Sequence, residues 1–118
     1  MLPHETKKYL FDIAEACDLI AQFVKGRTFT DYQSDPLLRS GVERQFGIIG
    51  EALKLALQRD PSLAASISNT TRIISFRNRL IHGYATIADE VVWGVLETNL
   101  PVLTREVKQL LKKDGGRS

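Results

Sequence analysis

The sequence predicts an all-α protein, an up-and-down four-helix bundle with one short extra helix. Three observations predict it. Apolar residues recur at spacings of three and four along four long stretches, the period of a helix that buries one face. No segment alternates apolar and polar residues as a half-buried strand would. Asp-Pro pairs, an Asn-Thr-Thr run and single glycines fall between the stretches, where helices start and stop.

The first helix is predicted over about 4 to 25. Leu10, Ile13, Cys17, Ile20 and Val24 form its apolar face, Asp12, Glu15, Asp18 and Gln22 its wet face, and Gly26 its stop. Thr28 to Tyr32 reads as a short connection. Asp35 then caps a second helix with Pro36 in its first turn, running to about Gln58 on a stripe of Leu38, Val42, Phe46, Ile49, Leu53 and Ala56 or Leu57. Gly47 and Gly50 lie inside it. Each costs about 1 kcal/mol of helix propensity relative to alanine, so a close helix–helix contact is expected there. Asp60-Pro61-Ser62 opens a short turn to about Ile67. Asn69-Thr70-Thr71 offers caps for a third main helix, Arg72 to Ile81, stopped by Gly83. Asp89 is expected to cap the last helix, Glu90 to Lys112, striped by Val92, Leu96, Leu100, Leu103, Val107 and Leu110 and kinked at Pro101.

At 118 residues the chain suits one domain, read as 1–113 with a tail over 114–118. Apolar content of 43% and charged content of 25% are globular values and argue against disorder. Cys17 is the only cysteine, so an intrachain disulfide is excluded and a reducing compartment fits. Met1-Leu2-Pro3-His4-Glu5 lacks the basic-then-apolar pattern of a secretory signal, and no stretch approaches the ~18 apolar residues of a membrane span. A cytoplasmic location is expected. The net charge of +2 is too mild to announce nucleic-acid binding, so any such contact must come from a local cluster.

That cluster is Arg72-Ile73-Ile74-Ser75-Phe76-Arg77-Asn78-Arg79-Leu80-Ile81-His82-Gly83-Tyr84, with three arginines, one of the two histidines and a tyrosine. Histidine exchanges protons near neutral pH. Arginine keeps its charge and grips phosphate oxygens with a planar fork. RNA supplies its own nucleophile, the 2′-hydroxyl, so a His that takes that proton and an Arg that stabilises the phosphorane charge suffice for cleavage. No His, Cys and carboxylate set has metal-ligand spacing. On an ideal helix, however, Arg77 and His82 stand about 140° apart, whereas Asn78 and His82 share a face. Either the helix end unwinds near Gly83, or two copies pool their residues across a two-fold interface. Read by themselves, Arg72 and Arg79 are solvated or ion-paired, Tyr84 is a core or rim aromatic, and Trp93 is core. Glu51 is either an ordinary exposed residue or the partner of an arginine on the third helix.

Four blocks in order resemble the HepT-like branch of the HEPN proteins. Tyr9 to Ile13 through Phe23-Val24 is similar to the family's first helix. Val42 to Ala52 resembles its second-helix hallmark. Phe76 to Tyr84 carries its motif of Arg, four residues, His, one residue and Tyr. Val91-Val92-Trp93 and Asn99-Leu100-Pro101 are similar to its final helix. Ser75 and Phe76 depart from the small or aliphatic residues common before the arginine, and Ser62 to Thr71 lacks the Pro-Trp pair of many relatives.

The resemblance implies a HEPN-like helical dimer and a metal-independent RNase toxin, with Arg77 and His82 catalytic at a dimer cleft. By match, Asn78 is a supporting residue, and Arg79 and Glu51 are read as supporting beside it. The resemblance also implies an MntA-type nucleotidyltransferase antitoxin that moves AMP from ATP onto Tyr84. The RNase itself would need no cofactor. A reading from another class is a non-catalytic helical nucleotide- or substrate-binding partner of a separate nucleotidyltransferase subunit, whose arginines hold nucleotide phosphates.

Overall fold

The computed structural model describes residues 2–82 and 87–115. Among these every regular element is a helix, and there is no strand. The α-helices are α1 (His4–Val24), α2 (Phe29–Ser34), α3 (Pro36–Arg59), α4 (Thr70–His82), α5 (Asp89–Thr98) and α6 (Leu100–Gly115), with a 3-10 turn at Pro61–Ala65 between α3 and α4. The all-α expectation holds, and α1, α3, α4 and the α5–α6 pair are its four long members.

Neighbouring long helices run antiparallel. Glu5 at the start of α1 pairs with Arg59 at the end of α3, while Phe23 near the end of α1 packs on Gly41 near the start of α3. Lys7 pairs with Asp114 and Asp18 with Lys108, which sets α6 along α1 in the opposite sense. The predicted stripes meet in the middle. Leu10, Ile13, Cys17 and Ile20 of α1, Val42, Ile49 and Leu53 of α3, and Val92 and Val107 of the last pair are almost fully buried. Phe46 and Phe76 join α3 to α4 edge to face, with ring centroids 5.3 Å apart.

The Asp35-Pro36 start is as predicted: one carboxylate oxygen accepts from the Leu37 and Leu38 N–H groups, both at 3.1 Å. Four expectations are corrected. The segment read as a connection at Thr28–Tyr32 lies largely in α2. A capping box builds it: Thr28 Oγ1 accepts from the Asp31 N–H and Asp31 Oδ2 from the Thr28 N–H. Buried Tyr32 then anchors it against Trp93, 5.4 Å between ring centroids. Trp93 is part of this packing, as a core reading expects. Asp89 does not cap the last helix; Ala88 holds that position and Asp89 is the first helical residue, where the helix dipole favours a carboxylate.

The last helix is broken rather than kinked. The helix stops at Thr98, and Asn99 links it to a new helix from Leu100. Pro101 sits in the first turn of α6, where its missing N–H costs nothing. Helix α6 also runs through Gly115, past the start of the expected tail. Asp114 holds that end, accepting the Leu2 N–H at 2.8 Å and pairing with Lys7 at 3.3 Å.

Candidate active site

The motif residues lie on α4, which starts two residues earlier than predicted. Asn69 adopts a positive φ of 59°, a conformation asparagine tolerates, and its carbonyl accepts the Ile73 N–H at 3.0 Å. Ile73 and Phe76 bury one face of α4 on the bundle. Arg77 follows on that side, so its side chain runs into the α3–α4 seam and is only 15% exposed.

The seam admits an arginine because α3 presents Gly50 there. A Cβ on Gly50 would overlap the Cβ and Cγ of Arg77, so the predicted close approach centres on this pair. Gly47, one turn earlier, makes only ordinary contact with Ile81 at 3.9 Å. The guanidinium is then fixed at two nitrogens. Nη2 meets Glu51 Oε1 at 2.8 Å, and Nη1 donates to Asn78 Oδ1 at 3.0 Å. Its Nε is buried without a hydrogen-bond partner among the described residues. Glu51 is therefore a partner of the third main helix rather than a plain solvated residue.

His82 is the last residue of α4 and is exposed. Helix α4 is continuous through it, so unwinding before the histidine does not swing it toward Arg77. Within one chain the two stay on different flanks of α4, and Asn78 lies between them by helical angle. Arg79 is exposed and pairs with no carboxylate among the described residues. Gly83 and Tyr84, the expected helix stop and modification site, lie outside the described residues. No three His, Cys, Asp or Glu side chains gather as a cation-binding group among the described residues.

The arrangement supplies a clamped guanidinium on the inner flank of α4 and an accessible imidazole at its end. A family model for HepT-like ribonucleases matches residues 13–110. The chain belongs to the HepT-like ribonuclease family. A candidate RNase of Caldanaerobacter subterraneus subsp. tengcongensis is 32% identical over 108 residues, covering 92% of this chain and 96% of the relative. A protein of Thermococcus cleftensis named as a ribonuclease HepT is 33% identical over 106 residues, covering 90% and 96%. A candidate RNase of Methanocaldococcus jannaschii is 26% identical, covering 92% and 98%. No solved structure matches this HepT-like chain. No helix among its described residues is long and apolar enough to cross a membrane.

Proposed function

We propose that this HepT-like protein is a cytoplasmic, metal-independent endoribonuclease that acts as a toxin, with Arg77 and His82 as its catalytic residues. The observation that carries the reading is the clamped Arg77. An arginine held between Glu51 and Asn78 over Gly50 keeps a fixed positive charge ready for a transition state. In this mechanism His82 takes the proton from a ribose 2′-hydroxyl. The 2′-oxygen attacks the adjacent phosphorus, Arg77 steadies the charge on the phosphorane oxygens, and the P–O5′ bond breaks as the 5′-oxygen takes a proton from water, to which His82 afterwards releases the one it took. The products are a 2′,3′-cyclic phosphate and a 5′-hydroxyl. Asn78, Arg79 and Glu51 support the site.

Because Arg77 and His82 occupy different flanks of α4, the reading includes a homodimer that pools them in one cleft. Apolar surface beside the site supports that part. Ile81 is 50% exposed and edges a groove of about 460 Å³ with Tyr9, Ile48, Ala52 and Leu55. We further propose an MntA-type nucleotidyltransferase antitoxin as partner, using ATP to place AMP on Tyr84. Added bulk and negative charge beside the cleft would exclude RNA.

Expression in cells tests the toxin reading. The wild-type chain is expected to arrest growth, His82→Ala to be harmless at equal abundance, and the antitoxin with ATP to shift the mass of the Tyr84 peptide by AMP. Arrest by His82→Ala as strong as by wild type would sink the proposal. The competing reading, a nucleotide-binding partner subunit, gains only if the protein binds nucleotide and leaves RNA intact while Tyr84 is unmodified.

A further inference from the structure

The outer face of α4 carries a basic stripe that begins away from Arg77 and ends at the proposed base, His82. Arg72, Ser75, Arg79 and His82 follow one another at spacings of three, four and three. On the helix they fall within about 80° of one another and span about 15 Å along the axis. All four are exposed. Arg77, in contrast, points to the inner seam and is already paired. Neither Arg72 nor Arg79 pairs with a carboxylate among the described residues.

Beside the stripe lies a groove of about 830 Å³ between α4, the start of α5 and the turn before α4. Arg72, Ser75 and Arg79 form one wall, and the edge of Phe76 with Val91 and Val95 forms an apolar floor. No carboxylate among the described residues lines it. Two other surface grooves differ in this respect. One is lined by Asp12, Glu43 and Glu51 beside a single arginine, Arg44, the other by Glu15 and Asp18 beside Lys108, so in both the carboxylates outnumber the cations. Glu106 of α6 accepts from the Ser68 hydroxyl and N–H at 2.8 and 2.9 Å.

We propose that this groove binds the backbone of single-stranded RNA through Arg72 and Arg79 and leads it along α4 to His82. The inference deepens the RNase reading and rests on it for the direction of the strand. Unpaired guanidiniums suit phosphate oxygens. The apolar floor suits the exposed faces of unstacked bases, which a duplex does not present. Ser75 keeps the wall low between the two arginines, leaving room for the sugar–phosphate chain. The site therefore recognises backbone rather than sequence.

The test measures binding apart from cleavage. A short fluorescent oligoribonucleotide with 2′-O-methyl groups lacks the nucleophile, so its anisotropy reports binding to the full chain alone. Arg72→Ala and Arg79→Ala are each expected to weaken binding roughly three- to tenfold. Each should also lower the slope of log affinity against log salt by about 0.7. Ser75→Glu is expected to weaken binding as well, and Lys25→Ala, exposed after α1, to leave it unchanged. The substituted side chains are exposed, and circular dichroism checks the fold. With cleavable RNA the Arg72→Ala variant is expected to raise KM and hold kcat. Wild-type affinity in the Arg72→Ala/Arg79→Ala double variant overturns the groove, even if the protein cleaves RNA. Equal binding of a duplex of the same sequence overturns the single-strand assignment. Loss of binding in the double variant, with no cleavage by wild type, leaves the groove standing and removes the RNase reading.

Discussion

Gly50 of α3 and Arg77 of α4 approach so closely that a Cβ on the glycine would overlap the Cβ and Cγ of the arginine. Those atoms sit next to the α4 backbone, so they cannot step aside as a flexible side-chain tip can. Gly50→Ala is expected to push the helices apart and cost about 1–3 kcal/mol, read as a lower guanidinium midpoint. Gly94→Ala is the control. Nothing lies within 4 Å of a Cβ there, and alanine in a helix interior is worth about 0.5–1 kcal/mol over glycine. A Gly50→Ala protein as stable as the Gly94→Ala one would contradict the packing.

The Glu51–Arg77 pair separates stability from activity. Glu51 is 44% exposed, so water screens its contribution to folding. Glu51→Gln is expected to change stability by less than about 1 kcal/mol. The same change loosens the aim of Arg77, and misalignment of a charge-stabilising group is costly. RNA cleavage is expected to fall roughly tenfold through kcat, with KM little altered. Steady-state kinetics beside a denaturation curve distinguishes the two effects.

Acid is expected to weaken the fold through its caps. The backbone N–H of Leu38, with that of Leu37 and Arg27 in support, holds the Asp35 carboxyl below the usual carboxylate range. The Leu2 N–H and Lys7 do the same for Asp114. A depressed value means stability that is full above the ordinary carboxylate pKa of about 3.9 and lost as pH falls through the folded value. Asp35→Asn keeps the cap acceptor and is expected to flatten the acid limb of a stability-against-pH curve. An unchanged acid limb would count against the cap as its source.

Glu43 has the opposite sign. Burial, aided by the Asp89 carboxylate and opposed by Arg39, raises its pKa. The folded state then favours the protonated acid, so ionised Glu43 weakens the fold near neutral pH. Glu43→Gln is expected to raise the denaturation midpoint at neutral pH, with the gain vanishing in acid.

Cys17 is expected to be silent until the protein unfolds. Burial pushes its thiol up to about 11, with Asp18 adding to the rise and Thr104 and Lys108 opposing it. The thiolate is the reactive form. Alkylation followed by mass spectrometry should leave the native protein unmodified at neutral pH and label it in guanidinium. Rapid labelling of the native state would show that the α1 core face is open.

The parts of the fold legible in the sequence are those fixed by local chemistry. Asp35-Pro36 announces its helix because cap and proline act within one turn, and the apolar stripes of α1 and α3 are long enough to show their period. Helix α2 is too short for a period. Its Thr28–Asp31 box was the available signal, but burial of Tyr32 under Trp93 is tertiary. Pro101 signals an interruption without saying whether the chain bends or restarts. At the site, the Gly50 contact is readable as a costly glycine inside a helix, and the angle between Arg77 and His82 follows from their spacing. The basic groove is not legible in the sequence because part of its floor, Val91 and Val95, comes from α5. Arg72 and Arg79, judged from α4 alone, look like ordinary solvated residues.

Cleavage of RNA by Arg77 and His82 without a metal can be measured in one assay. Purified, unmodified protein is incubated with RNA in EDTA beside Arg77→Ala and His82→Ala, and the product ends are mapped. The wild type is expected to leave 2′,3′-cyclic phosphate ends, and both folded variants to lose them. Cleavage by His82→Ala at the wild-type rate, or an inert wild type with Tyr84 unmodified, would contradict this expectation.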